Sequence, residues 1–179
     1  MTMTDTDRET PQVWVGCLAC YNAGDLVGQW VDATEAGEFV PCTRSEFGAQ
    51  HEEFWVMDYQ GFGGFLKGEC SPVEAQAIAE KMAEIPDYVP VEAVAAFLDN
   101  TGEHIDELRM DNFEDAYCGV WDSEVDYAQN LAEELDLVRD DNGWPAYCID
   151  WERAARELFM GDNWSERAPG GQVFVFRSY

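Results

Sequence analysis

Residues 13–32 read VWVGCLACYNAGDLVGQWVD. Val13 to Tyr21 is a dense, apolar, β-prone run, the mark of a buried strand. Asn22, Gly24 and Asp25 supply a turn, and Gly28 to Asp32 returns as a second short strand. Glu53 to Tyr59 reads as a third, ended by Gly61, Gly63 and Gly64. The chain therefore opens on a small antiparallel sheet. Between the second and third strands, Thr34 to Gln50 is polar and broken by Gly37 and Pro41, so a long loop and a short helix fit equally well.

From Ser71 the period becomes helical. Ser71, Pro72 and Glu74 combine an N-cap, a first-turn proline and a capping-box acid, after which Ala77, Ile78, Met82 and Ile85 mark one face. Pro86 ends that helix, a second runs from Pro90 to Leu98, and Thr101 opens a third through Ile105 and Leu108. Ser123 with Asp126 begins another, with Val125, Leu131, Leu135 and Leu137 expected inward and Glu133, Glu134 and Asp136 outward. Asp140 to Gly143 and then Pro145 interrupt it. Tyr147 to Met160 is helical at least from Asp150, and Gln172 to Phe176 closes the chain as a strand. The expected fold is α+β. Its expected organisation is a flexible acidic tail (1–11), an antiparallel β-rich N-terminal domain (12–70), a helical middle domain (71–110) and an α/β C-terminal domain (111–179).

Charge is the second strong signal. There are 37 Asp and Glu against 10 Lys and Arg, a formal charge of −27. Met82 to Leu108 contains no Lys or Arg, and neither does Asp111 to Val138. Acids recur every few residues through both windows: Glu84, Asp87, Glu92, Asp99, Glu103, Asp106 and Glu107, then Asp111, Glu114, Asp115, Asp122, Glu124, Asp126, Glu133, Glu134 and Asp136. Self-repulsion of this kind costs stability and does not specify a fold, so a function that uses the field is worth seeking. A compact chain of this length would be about 40 Å across. An equal length of duplex DNA carries about 24 negative charges, close to the formal charge of the protein.

Composition excludes several classes. Seven Trp, seven Tyr and ten Phe, with 46% hydrophobic residues, are too many for a disordered acidic chain. No stretch approaches the length of a membrane span, and Met1 to Pro11 is polar and acidic, so a cytoplasmic protein with reduced thiols is expected. Nucleic acid and anionic membranes would both repel it, leaving a cationic partner. The tryptophans are expected mostly buried.

Cys17 and Cys20 form a CxxC pair. On a strand, positions three apart face opposite ways, no second CxxC is present, and His51 and His104 lack ligand spacing, so core or surface thiols are expected. Gly61 to Gly64 matches no phosphate-loop pattern and reads as a turn. Asp140, Asn142 and Gly143 hint at a calcium loop, but with Gly143 as its sixth residue the first and twelfth would be Val138 and Ile149, which removes both critical acids. No nucleophile elbow, zinc-protease motif or Ser or Cys with an evident His partner is present. No catalytic residue, cofactor or metal is expected.

Residues 13–32 also resemble the opening of the ArdA antirestriction family. Further resemblance follows in EEFWVMDYQGF (52–62), YCGVWDSEVDYAQNLAEEL (117–135), YCIDWERAARELF (147–159) and VFVF (173–176). The departures are the acidic tail and the stretch around Cys42. The resemblance implies an elongated homodimer of three-unit chains, carried by phages and mobile elements. Such a protein imitates bent B-form DNA and occupies the DNA groove of type I restriction-modification enzymes. Its expected partner-binding carboxylates are Glu84, Asp87, Glu92, Asp99, Asp106, Glu107, Asp111, Glu114, Asp115, Asp122, Glu124, Asp126, Glu133, Glu134 and Asp136. A salt-adapted enzyme or small-molecule binder, and a module that sequesters a basic nucleoid protein, are the alternative readings.

Overall fold

The computed structural model describes residues 9–46, 49–138, 143–144 and 146–178, and the fold is α+β. The chain divides into two compact units between Leu108 and Arg109. No helix among the described residues is long and apolar enough to cross a membrane.

The first unit begins with β1 (Gln12–Cys17), which runs between β2 (Gly28–Asp32) and β5 (Phe54–Gln60) in an antiparallel sheet. The strand expected to reach Tyr21 ends at Cys17, where the chain turns into the short helix α1 (Leu18–Asn22). Alternation fixes the faces of β1. Val13, Val15 and Cys17 are buried, whereas Trp14 lies on the other side opposite Trp30 of β2. Trp14 covers Gly16 and Gly28, where an added Cβ would come within 2.4 Å of its ring. Glycine at these positions is therefore a packing requirement of the indole.

The stretch from Thr34 to Gln50, open between loop and helix on sequence, contains both a 3₁₀ segment (Ala33–Glu38) and a small hairpin, β3 (Ser45–Glu46) with β4 (Ala49–Gln50). The glycine turn after β5 has positive φ at Gly61, Gly63 and Gly64. At Gly63 a side chain would also collide with Val91, 2.7 Å from the added Cβ.

Helix α2 (Pro72–Ala83) starts as its capping sequence predicts, with the Glu74 N–H donating to Ser71 Oγ at 3.2 Å. It buries Ala75, Ile78, Ala79 and Met82, and the expected inward Ala77 is exposed. It packs on the 3₁₀ segment and the sheet. Helix α3 (Val91–Thr101) buries Val94, Phe97 and Leu98 and ends in the left-handed Gly102. Thr101 thus closes a helix instead of opening one; Ile105–Glu107 is a single 3₁₀ turn capped by His104.

The second unit opens with α4 (Met110–Ala116) running directly into β6 (Tyr117–Trp121). Helix α5 (Glu124–Glu134), capped by Ser123, and helix α6 (Trp151–Phe159), capped by Asp150, pack together. Strands β7 (Asn163–Arg167) and β8 (Val173–Arg177) complete an antiparallel sheet of order β6-β8-β7. The central strand buries Phe174, Val175 and Phe176 in succession, so both sheet faces are covered. Phe176 stacks on Trp164 at 4.1 Å and meets Phe113 and Tyr117. Asn163 is buried and donates from Nδ2 to Tyr127 Oη (3.1 Å) and to the Phe176 carbonyl (3.3 Å).

Two further expectations about burial fail. Leu135 and Leu137 are exposed because α5 ends at Glu134, and Tyr127 and Ala128 take the inward positions instead. None of the tryptophans is fully buried, and Trp30, Trp55 and Trp144 are exposed. The N-terminal sheet is covered on one face only, so Trp14, Trp30 and Trp55 line an open trough with Tyr21, Leu26 and Met57. The Asp140–Asn142 part of the weak calcium-loop hint lies outside the described residues.

Candidate functional site: an acidic surface and a cysteine and histidine cluster

Of the fifteen carboxylates singled out in the sequence, thirteen are exposed; Glu92 and Glu124 are half-buried. In the first unit Glu92 and Asp99 lie two turns apart on α3, Glu84 follows α2, and Asp106 and Glu107 sit on the 3₁₀ turn. In the second, Asp111, Glu114 and Asp115 project from α4, while Glu124, Asp126, Glu133 and Glu134 belong to α5. Asp122 precedes α5 and Asp136 follows it.

Local chemistry explains some of these placements. Asp126 sits in the first turn of α5, receives the Ser123 hydroxyl at 2.6 Å, and favours the positive end of the helix dipole. Glu124 accepts from Ser165 Oγ at 2.6 Å, Asp122 from Gln172 Nε2 at 2.8 Å, and the Glu107 carboxylate from the His104 N–H at 3.1 Å. Asp99 pairs with Lys67, and Glu84 with Lys81 at 3.1 Å.

Others run against local preference. Glu133 and Glu134 occupy the last turn of α5, which contains no basic residue, at the negative end of its dipole. Asp136 follows with φ +58°. Its N–H donates to the Glu133 carbonyl (2.9 Å), and that of Leu137 to Ala132 (2.9 Å), the bonding of a Schellman cap whose left-handed position favours Gly or Asn. Three acids therefore stand where neutral residues would serve the helix better.

A different constellation lies in the first unit. Cys17, Cys20 and Cys42 are buried and His51 half-buried, and the ligand atoms of all four lie within 4.8 Å of one another. The expectation that Cys17 and Cys20 face apart depends on a strand running through both; the helical turn after Cys17 brings their sulfurs to one side. The hairpin β3–β4 folds Cys42 and His51 back onto the same point.

His51 Nδ1 lies 3.3 Å from Cys17 Sγ, 3.4 Å from Cys20 Sγ and 3.7 Å from Cys42 Sγ, and the last two sulfurs are 3.6 Å apart. The Arg44 N–H donates to Cys42 Sγ at 3.4 Å, and Arg44 Nη1 reaches Cys20 Sγ at 3.9 Å while pairing with Asp25 at 2.6 Å. Burial, with the Cys17 and Cys42 sulfurs beside it, pushes the Cys20 thiol up to about 11. The Arg44 N–H lowers the pKa of Cys42. His51 Nε2 is buried without a hydrogen-bond partner among the described residues. The CxxC pair was the one sequence signal for this cluster; Cys42 and His51 carried none until the hairpin joined them.

No curated protein matches the sequence. A family model described as antirestriction protein (ArdA) matches residues 13–171. That span takes in both units and nearly all of the chain, so the protein belongs to the ArdA antirestriction family.

Proposed function

We propose that this chain is a non-enzymatic DNA mimic. It competes for the DNA-binding groove of a type I restriction-modification enzyme and so protects incoming phage or plasmid DNA. The observation that carries this reading is the solvent exposure of thirteen carboxylates across two windows that contain no Lys or Arg. Presented on folded elements, these carboxylates meet the Lys and Arg of a DNA channel with little loss of conformational entropy on docking. The division of the chain into three small units, and its action as a homodimer in the host cytoplasm, belong with this proposal.

The test is competition. A purified type I methyltransferase core is loaded with labelled duplex, and the full-length protein is titrated at increasing salt. Displacement of DNA that weakens as salt rises is expected, because the contacts are ionic. Displacement insensitive to salt, or inhibition that leaves DNA bound, would overturn mimicry. A parallel titration against a basic DNA-packing protein separates groove occupation from sequestration.

A further inference from the structure

The mimicry proposed above makes no use of the cysteine and histidine cluster. We propose that Cys17, Cys20 and Cys42 Sγ, with His51 Nδ1, form a tetrahedral site for a zinc ion that ties the β1–α1 turn to the β3–β4 hairpin. This goes beyond the antirestriction reading and is independent of it.

Geometry supports zinc in particular. Zinc bonds of ~2.3 Å to sulfur and ~2.05 Å to nitrogen, at tetrahedral angles, place neighbouring sulfurs ~3.8 Å apart and sulfur and nitrogen ~3.6 Å apart. The cluster shows 3.6 Å between Cys20 and Cys42, and 3.3, 3.4 and 3.7 Å from His51 Nδ1 to the three sulfurs. A disulfide would need sulfurs about 2.05 Å apart, and all three cysteines are free.

Hydrogen bonding among the thiols accounts for the arrangement less well. One imidazole nitrogen has either one lone pair or one proton, so it cannot bond fully to three sulfurs at once. A central cation satisfies all four atoms together. Three thiolates and one zinc leave a net charge of −1, and Arg44 approaches that charge with its guanidinium and its backbone N–H, held in turn by Asp25. Sulfur-rich tetrahedral sites select zinc over hard cations such as magnesium or calcium.

The local fold gives the ion something to do. Each strand of the β3–β4 hairpin has only two residues, and an isolated hairpin is marginal in water. Among the described residues, the apolar side chains packed on the three buried cysteines are Ala19, Val27 and Phe54, all partly buried. A metal link would reinforce this small cluster.

The experiment uses the full chain, purified under reducing conditions and dialysed with zinc and then against buffer. Metal content is measured by elemental analysis, and the cobalt-substituted protein is examined for thiolate-to-cobalt charge transfer and tetrahedral ligand-field bands. About one metal per chain, a tetrahedral thiolate spectrum and a lower Tm after strong chelation are expected. Cys42→Ser and His51→Ala should lose the tightly held metal, whereas Cys70→Ser, Cys118→Ser and Cys148→Ser should retain it. Failure of the wild-type protein to retain zinc overturns the site, as does retention by the Cys42→Ser, His51→Ala double variant. If the ligand variants do not fold, chelation of the wild-type protein decides: an unchanged Tm and no released metal refute the proposal. DNA competition is scored separately, so loss of the metal site leaves the mimicry reading to its own test.

Discussion

Replacing Glu133 and Glu134 by Gln and Asp136 by Asn should make the protein more stable and a worse inhibitor. Both glutamates lie in the last turn of α5, against the negative end of its dipole. A misplaced charge there costs about 0.3–1 kcal/mol at low ionic strength, so removing two gains about 0.6–2 kcal/mol. Asn at 136 keeps the left-handed cap and removes a third charge from the carbonyl end. For a unit the size of residues 109–179, each kcal/mol raises Tm by about 4–8 °C. In the competition assay, three exposed ionic contacts at about 0.2–1 kcal/mol each are lost. Their sum corresponds to inhibition weaker by roughly 3-fold to 150-fold. Thermal melting at low and high salt reads the first effect, which should shrink as salt screens the dipole. DNA displacement reads the second. A variant that melts lower than the parent would refute the account of α5, and one that is more stable yet inhibits equally would remove these acids from the partner surface.

Single neutralisations, such as Asp111→Asn or Glu92→Gln, should each weaken inhibition by no more than about 5-fold; abolition by one such change would show that the charges do not act collectively. Gly28→Ala should cost about 1–3 kcal/mol in denaturant unfolding of the first unit, because its Cβ would lie 2.4 Å from the Trp14 ring and 2.6 Å from the Val15 carbonyl oxygen. Phe176→Ala should cost about 3–5 kcal/mol in the second unit, since Phe176 is fully buried and stacked on Trp164; a cost below 1 kcal/mol would contradict the aromatic core. Burial pushes the Tyr117 phenol up from 10 to about 12. The folded state then holds its proton more tightly than the unfolded one, so this contribution is fully present below pH 10 and lost as pH rises towards 12. Melting temperatures across that range should fall less steeply in Tyr117→Phe than in the parent.

Caps and turns were legible wherever a few adjacent residues determine them. Ser71 and Ser123 cap the helices they announce, and Gly61, Gly63 and Gly64 adopt the positive φ of a turn. Misreadings arose where an element stops. The apolar run from Val13 continues to Tyr21, yet β1 ends at Cys17 and becomes a helix. Helix α4, strand β6 and strand β7 lacked a clear local signature because their burial is supplied by β8, α5 and α6 from elsewhere in the unit. Tryptophans at apolar strand positions look like core, but a sheet covered on one side leaves the alternate positions open.

The sequence by itself determined the charge, the base-free windows, the α+β class and the family, because each depends on composition or on neighbours along the chain. Tertiary structure decided which residues converge. Cys20 and His51 are 31 positions apart, and their contact at 3.4 Å exists only because a helical turn and a hairpin bring them together. Spacing along a chain reports ligand geometry when both ligands lie on one element; here they come from two, and only folding sets the distance between them.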